Sequence, residues 1–301
     1  PPGLIHIART RFLCTNRLYE RICCRNYGRQ PVQAPLRFEF GADFRDMFEV
    51  RGSVRAGRGE ILPPDVGEDG IALSYRGLDG RMRESAIGWS MTPVRSTPDG
   101  TEFLIELPPG GSVELYIEVG LEPEETPSRI RYRAAAARAR HRMRARQRRG
   151  AGVRSEGPLF TAWMERSRAD LALLTSELPT GPYPYAGIPW FSTPFGRDAV
   201  VTSLQTLWIN PKLARGVLAF LAAHQAQEES AFLDAAPGKI MHETRKGEMA
   251  ALRELPFGLY YGGVDTTPLF VMLAAAYAQR TGELEFIDDL WPALCGAMQW
   301  I

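Results

Sequence analysis

Apolar and polar residues alternate along most of the first 120 residues. Such alternation places apolar side chains on one face of a β-strand, and turn signals such as NYG, DG and PPGG separate the alternating segments. Because no helical spacing interrupts them, the pattern predicts an antiparallel β-sandwich. The predicted strands lie at 4–13, 17–28, 36–44, 71–77, 83–91, 101–107 and 112–119.

After residue 157 every predicted element is a helix. The predicted helices lie in PLFTAWMERSRADLALLTSE, GRDAVVTSLQTLWI, KLARGVLAFLAAHQAQ and PLFVMLAAAYAQRTG. Pro211 fits the first turn of one predicted helix, Gly282 fits the end of another, and we expect the last helix to begin near Asp289. The helices are joined by alternating short and long loops, which is typical of an α/α toroid. The sequence therefore predicts the first part of an (α/α)6 toroid.

Between these two parts, eleven arginines lie among residues 129–154. Alanine and arginine favour helix, so we predict a linker helix with charge nearly all round. A basic helix can bind nucleic acid, but this one lacks aromatic or amide side chains for base recognition, and the acidic segment EPEE precedes it. We therefore expect a solvated linker and no nucleic-acid partner. The predicted domains are a sandwich at 1–122, the linker at 123–156 and the helical domain at 157–301.

Composition adds few constraints. The 301 residues are 45% hydrophobic and 24% charged, as in globular proteins with room for two domains. Since 36 basic and 35 acidic residues give a net charge of +1, overall charge indicates no acidic partner. Apolar runs fall short of the ~20 residues of a membrane span, so we expect no membrane partner. The sequence lacks an initiator methionine and stops within an apolar helical pattern, so we expect a fragment.

Cysteine and histidine spacing indicates neither a metal site nor a cofactor. His224 and His242 have no second histidine at zinc-ligand spacing, and no nucleotide-binding glycine pattern occurs. Free thiols in a reducing cytoplasm are the expected state of the cysteines. They are Cys14, Cys23, Cys24 and Cys295.

The segment GIPWFSTPFGRDAVVTS, residues 187–203, leads an aromatic loop into a helix that begins with opposite charges. The rings of Trp190 and Phe191 suit the C–H faces of a sugar, whose hydroxyls need polar partners such as Arg197 and Asp198. The alternative is a packed loop followed by an ordinary ion pair at a helix N-terminus.

The segments YYGGVDTTP and MHETRKGE contain further polar residues suited to glycoside chemistry. Hydrolysis of a glycosidic bond ordinarily needs two carboxyl groups, and Asp265 is the best candidate for the acid. The glycines before it allow a sugar to approach, and Tyr260 and Tyr261 could stack on that sugar. Alternatively, Asp265 is a plain helix cap. Glu243 and Arg245 are further candidates, with a surface loop as the alternative.

These motifs together resemble those of bacterial glycogen-debranching-type proteins, the amylo-alpha-1,6-glucosidase family, in which a β-sandwich precedes an (α/α)6 catalytic barrel. The resemblance extends over nearly the whole chain. Its motifs are RFLCTNRLYERICCRNYG, FGADFRDMFEVRG and LDG in the sandwich, then GIPWFSTPFGRDAVVTSLQ, GKIMHETRKGE and PFGLYYGGVDTTPLFV in the helical part.

The resemblance implies an enzyme that hydrolyses α-1,6-glucosidic branches of glycogen or related α-glucans with inversion. Arg197 and Asp198 would hold the hydroxyls of the terminal glucose, and Asp265 would be the general acid. Glu243 and Arg245 would line the same pocket. The family's general base comes from late in the toroid, so we expect it beyond residue 301 and expect this chain alone to be inactive.

Two alternatives remain open. A related toroid could cleave another α-glucoside or trehalose, because fold does not fix function. The protein could also be a non-catalytic binder that has kept a sugar pocket. In each case the expected partner is an α-glucan or oligosaccharide.

Overall fold

The structure, a computed structural model, describes residues 3–301. The chain divides into two compact units, Pro1–Arg142 and Met143–Ile301. The division falls within a long helix. Among the described residues, no helix combines the length and the apolar composition that crossing a membrane requires.

The first unit consists mainly of short antiparallel strands. Their sequences are rich in β-branched and aromatic residues and are separated by glycine-containing turns. The strands are β1 (Ile5–Cys14), β2 (Arg17–Asn26), β3 (Val32–Glu39), β4 (Glu60–Ile61), β5 (Asp65–Val66), β6 (Gly70–Arg76), β7 (Met82–Trp89), β8 (Arg95–Thr97), β9 (Gly100–Leu107) and β10 (Ser112–Gly120), with the helices α1 (Met47–Val50) and α2 (Arg129–Gln147).

Two antiparallel sheets enclose the core of this unit. Strands β1-β2-β10-β7-β6-β4 form one sheet in that order, with β5 also paired to β6, and β3-β9-β8 form the other. Side chains from both sheets meet in one apolar cluster, as the predicted sandwich requires. The strands of two or three residues, β4, β5 and β8, were not predicted, because so short a segment has no detectable alternation. The core includes Ile22, Trp89, Phe103, Ile105, Leu107 and Leu115.

Helix α2 is attached to the sandwich through an apolar stripe. Tyr132 and Ala135 are buried, and the Tyr132 ring lies 5.1 Å from that of Phe12 and 5.4 Å from that of Tyr116. Arg131 adds an ion pair of 2.9 Å with Glu118. The prediction of a solvated helix is therefore wrong for this stripe, while the rest of the helix is exposed or half-buried. The stripe could not be predicted from the sequence, because alanine is common on both exposed and buried helix faces.

The second unit is helical apart from one hairpin. Thr175–Leu178 pairs with Gly181–Pro184, which corrects the prediction that every element after residue 157 is a helix. Gly181 has a φ of 121°, which a residue with a side chain rarely adopts, and so permits the tight turn. The elements are α3 (Pro158–Leu174), β11 (Thr175–Leu178), β12 (Gly181–Pro184), α4 (Gly196–Thr206), α5 (Pro211–Ala223), α6 (Glu248–Ala251), a 3-10 turn (Pro256–Gly258), α7 (Thr266–Thr281) and α8 (Leu284–Trp300).

Two predicted helix boundaries are confirmed, and the predicted start of the last helix is wrong. Pro211 opens α5, and Gly282 ends α7 with a left-handed φ of 71°. However, α8 begins at Leu284 rather than near Asp289, and Pro292 lies inside it. A proline removes one backbone N–H and so costs a helix one hydrogen bond, which packing of Phe286, Leu290 and Leu294 offsets.

Helix α5 has more buried residues than any other helix of the second unit, and it packs against α4, α7 and α8. This core leaves the loops before α4 and α7 at the N-terminal ends of those helices. The predicted site residues lie in these two loops, in the first turn of α4 and in the long loop before α6. Closure of these helices into an (α/α)6 toroid stays a prediction. The core residues include Tyr183, Ala199, Val217, Leu218, Leu221, Phe270, Leu273 and Tyr277.

The turn between β6 and β7 is stabilised by a buried carboxylate. Asp79 accepts hydrogen bonds from the Arg81 backbone N–H at 3.1 Å and from two Arg83 guanidinium nitrogens at 2.9 and 2.6 Å. Only 6% of the Asp79 side chain is exposed. The hydrogen bonds from Arg83 lower the pKa of Asp79 to about 2.

Replacing Asp79 should therefore weaken the sandwich in a pH-dependent way. We expect Asp79→Asn to lower the free energy of unfolding at pH 7 by about 1–2 kcal/mol. The unfolded-state pKa is about 3.9, so the difference from wild type should be complete above about pH 5 and should disappear as pH falls towards 2. Urea titrations across this pH range measure it. Asp99→Asn, in a turn without an arginine partner, is the control, and an equal effect there would contradict the assignment.

Candidate active site

Backbone pairing joins three loops of the second unit. Glu243 forms β-bridges with Phe195 on one side and Tyr260 on the other. The hydrogen bonds are short: Gly196 N–H donates to the His242 carbonyl at 2.7 Å, and Tyr260 N–H donates to the Glu243 carbonyl at 2.9 Å. This pairing fixes where the chain enters α4 and α7, and so where their first residues lie.

Helix α4 begins with a glycine that permits this close approach. A Cβ on Gly196 would lie 2.5 Å from Thr266 Cγ2 and even closer to the Met241 carbonyl oxygen. The N-cap residue, Phe195, contributes no side-chain hydrogen bond. Arg197 and Asp198 lie in the first turn of α4. The negative charge of Asp198 is favourable there, near the positive end of the helix dipole.

Asp265 stands at the N-cap position of α7 but does not cap the helix. Its backbone is α-helical, with φ −85° and ψ −23°, and its side chain accepts no hydrogen bond from the helix. Instead, its Oδ2 lies 3.5 Å from Arg197 Nη1, and 43% of the side chain is exposed. The plain capping role that the sequence left open is therefore not the role of this carboxylate.

Arg197 brings together two carboxylates that are far apart in sequence. Besides Asp265, it faces Asp198, with 3.9 Å from Nε to Oδ2. Contacts of 3.5–3.9 Å between half-exposed groups are weak and contribute little stability. The three groups can therefore exchange these contacts for hydrogen bonds to a polar ligand at little cost.

Glu243 and Arg245 form a charge pair of the opposite kind. Arg245 Nε donates to Glu243 Oε2 at 2.7 Å, and each side chain is only 10% exposed. Arg245 Nη1 also donates to the carbonyl of Trp190 at 2.6 Å, and its guanidinium lies 5.4 Å from the centre of the Phe195 ring. This pair is part of the packing around the loop, whereas Arg197 lies at its surface.

The aromatic residues divide into exposed rings and buried supports. Trp190 is 36% exposed and Phe191 is 45% exposed. By contrast, Tyr183 is fully buried and donates to the Phe195 carbonyl at 2.8 Å. Tyr261 is also buried and donates to the His224 carbonyl at 2.8 Å, and burial raises the pKa of its hydroxyl to about 12. Only the exposed rings can contact a ligand without rearrangement.

Tyr260 takes an intermediate place. It is half-buried and meets the Phe257 ring edge-on, with 5.2 Å between centroids. The His242 ring stands edge-on to it at 6.2 Å. Tyr260 thus packs among the same three loops as Phe195 and Glu243.

Sequence reasoning missed two polar atoms beside Asp265. His242 Nδ1 and Thr266 Oγ1 are buried and have no hydrogen-bond partner among residues 3–301. Both would lie 3.0 Å from a Cβ on Gly263, and Asp265 Oδ1 would lie 3.4 Å from it. Burying an unpaired polar group is costly, so such atoms are unusual. The sequence signals were the adjacency of Thr266 to Asp265 and the position of His242 in the segment MHETRKGE.

A cavity of about 320 Å³ adjoins the charged residues at the start of α4. Leu171, Leu174 and Tyr185 form its apolar part, and Arg197 and Asp198 form its polar part. This volume is near the lower end of the range for ligand pockets, which favours a single ring over a long chain. Larger cavities of about 370 Å³ and 920 Å³ contain none of the predicted site residues.

No group of three or more potential metal ligands occurs within the described part of the chain. All four cysteines are free. The groups that the arrangement presents are carboxylates, a guanidinium and aromatic faces.

Comparisons with known proteins give a partial assignment. Residues 1–118 match the family described as the N-terminal domain of (some) glycogen debranching enzymes. No curated protein matches the chain. The first unit is thus similar to the N-terminal domain of some glycogen debranching enzymes.

Solved structures add information on the fold. One titled "Putative kojibiose phosphorylase from human microbiome" is 11% identical with a TM-score of 0.55, over 94% of this chain and 40% of that one. The present chain thus spans less than half the length of that protein. A polysaccharide lyase structure is 12% identical over 99% of this chain and 56% of its own, with a TM-score of only 0.27. The first likeness shows a shared fold, and the second carries no argument.

The close approach at Gly196 gives a test of the paired loops. A glycine-to-alanine change in a helix ordinarily stabilises it, but a Cβ at Gly196 would overlap the Met241 carbonyl. We expect Gly196→Ala to destabilise the protein by about 1–3 kcal/mol in thermal or urea unfolding. Gly152→Ala is the control, because a Cβ there meets nothing within 4 Å. Equal stability of the two variants would contradict the arrangement.

Proposed function

We propose that the protein is a carbohydrate-active enzyme that cleaves α-glucosidic bonds, with Asp265 as the proton donor. The observation that carries the proposal is the placement of Asp265. Its carboxylate stands at the start of α7 without capping it, remains 43% exposed and faces Arg197. A carboxyl group that has no structural role and is partly exposed can reach a bound substrate and transfer a proton to it.

In this mechanism Asp265 protonates the oxygen of the glycosidic bond as the bond to the anomeric carbon breaks. A water molecule attacks that carbon from the opposite face, and a second carboxylate removes its proton. An inverting enzyme needs about 6.5–9.5 Å between the two carboxyl groups to leave room for this water. The resemblance places that second carboxylate late in the helical domain, and we assign no residue of this chain to it.

Arg197 and Asp198 would bind hydroxyls of the sugar that is released. The guanidinium donates and the carboxylate accepts, so the pair can satisfy a diol. Both groups line the cavity of about 320 Å³, whose size suits one sugar ring. Trp190 and Phe191 would stack on the substrate, with Tyr260 near them. Tyr261 would hold the loop in place, since its ring is buried.

The α-1,6 branch points of glycogen or a related α-glucan are the substrate we propose. Support comes from the match of residues 1–118 to the N-terminal domain of glycogen debranching enzymes. The fold shared with a structure titled as a disaccharide phosphorylase makes phosphate an alternative attacking group in place of water. Other α-glucosides and non-catalytic sugar binding remain as rivals for the test.

Substituting Asp265 tests the central assignment. In the full-length protein, we expect Asp265→Asn to reduce glucose release from a branched limit dextrin by about 1,000-fold or more. Binding of the dextrin should be retained, because the amide oxygen can still accept from Arg197. Calorimetry measures the binding, and assays with and without inorganic phosphate separate hydrolysis from phosphorolysis.

Two matched variants complete the experiment. Asp198→Asn should weaken dextrin binding, whereas Asp288→Asn, on the exposed face of α8, should change neither quantity. Dextrin binding without cleavage by the wild-type protein would favour the non-catalytic rival. If the wild-type protein neither binds nor cleaves α-1,6, α-1,4 or α,α-1,1 glucosides, the proposed function is wrong.

A further inference from the structure

Arg245 connects three parts of the site loops through one guanidinium. Its Nε donates to Glu243 at 2.7 Å, and its Nη1 donates to the Trp190 carbonyl at 2.6 Å. The guanidinium carbon lies 5.4 Å from the centre of the Phe195 ring. Its own backbone N–H donates to the Phe257 carbonyl at 2.8 Å. The residue is thus fixed at its backbone and holds the loop with its side chain.

The loop that Arg245 holds has little apolar burial of its own. Residues 187–193 form no strand or helix of regular length, and Ile188, Trp190 and Phe191 are 68%, 36% and 45% exposed. Near the base of the loop, Thr193 Oγ1 donates to the Thr244 carbonyl and Gly187 N–H donates to the Phe191 carbonyl at 3.2 Å. The bond from Arg245 is made nearer the tip, at the residue whose ring is exposed.

The energetics of this charge pair indicate a role in positioning. Burying a carboxylate and a guanidinium costs desolvation free energy, and this cost offsets much of their mutual attraction. A buried pair is therefore weak evidence of net stabilisation. Its geometric effect is strong, because the guanidinium donates in fixed directions. Glu243 orients the guanidinium, and the guanidinium in turn orients the Trp190 carbonyl.

We propose that Glu243 and Arg245 are positioning residues that set the place of the Trp190 ring and thereby the affinity for the α-glucan. They act through Trp190 and do not contact the sugar. This inference rests on the proposed function, and it assigns to these two residues a different role from that of Arg197 and Asp198. Because proton transfer occurs at Asp265, loss of the pair should weaken binding and leave the chemical step unchanged.

The first measurement is hydrogen exchange of residues 187–193 without sugar. We expect Arg245→Met to raise the exchange rate of this segment by about tenfold or more, since the loop opens locally. Glu243→Gln keeps the shape but removes the charge, and should give a smaller increase. Arg245→Lys keeps the charge but loses the planar fork of donors, and should lie between wild type and Arg245→Met. Arg253→Met is the control, because Arg253 lies over the exposed Phe232 ring at 5.7 Å.

The second measurement uses the same variants with limit dextrin, in the protein as encoded in its genome. We expect the dissociation constant and KM to rise about tenfold in Arg245→Met, equivalent to about 1.4 kcal/mol, with kcat changed less than about threefold. Arg245→Lys should recover part of the affinity. A merely structural role would instead reduce the fraction of folded protein and leave KM unchanged.

The two measurements separate the possible failures. Unchanged exchange in both Arg245→Met and Glu243→Gln overturns the positioning role, whatever the sugar result. Faster exchange with unchanged dextrin affinity overturns the link between the loop and binding. If the wild-type protein does not bind dextrin, the proposed function fails together with the sugar role, and the exchange data still decide whether Arg245 holds the loop. Should Arg245→Met not fold, the isosteric Glu243→Gln and the conservative Arg245→Lys provide the same comparisons.

Discussion

The candidate site depends on the backbone pairing of one short segment, 241–245, with the loops on either side of it. Glu243 bridges Phe195 and Tyr260, so three loops share a small extended core although none belongs to a regular sheet. Helix α4 begins one residue after Phe195, and α7 begins six residues after Tyr260. The pairing therefore brings Arg197 within reach of Asp265 across 68 positions of sequence. The glycine at 196 is a condition of this contact, because any larger residue would displace the Met241 carbonyl.

The two charge clusters of the candidate site differ in burial and in the distances between their charged groups. Arg197, Asp198 and Asp265 are half-exposed and loosely spaced, so water already solvates them and a ligand can replace that water at modest cost. Glu243 and Arg245 are buried and closely bonded, so removing either would take a close partner from a charge that lies in a poor solvent for ions. The loose cluster is suited to recognition and chemistry, and the tight one to holding the backbone. Composition alone does not separate these roles, since both clusters consist of arginine and carboxylates.

The beginning of α7 lacks two local interactions that commonly stabilise a helix end. A side-chain cap stabilises a helix by about 1 kcal/mol, and Asp265 occupies the position from which an aspartate could provide one. Its helical backbone instead directs the carboxylate towards Arg197, and the adjacent Thr266 hydroxyl is buried without a partner in the described chain. The helix thus lacks two local interactions at the end that faces the candidate site. Departures of this kind are common where structure has been adjusted to chemistry.

The sequence by itself determined the local elements. Alternation located the long strands of the sandwich other than β3, Val32–Glu39, which overlaps the predicted strand at 36–44 only in part. Helical spacing located α3, α4, α5 and α7, and Gly282 marked a helix end, because each of these signals depends on near neighbours in the chain. It missed the hairpin β11–β12, the start of α8 and the apolar stripe of α2, where Pro292 and alanines gave weak or misleading local signals. For the site, residue types and motifs selected Arg197, Asp198, Glu243, Arg245 and Asp265 as a group. Only the tertiary structure decided which of them pair, which are buried and that Asp265 does not cap its helix, because burial and contact across loops depend on residues tens of positions away.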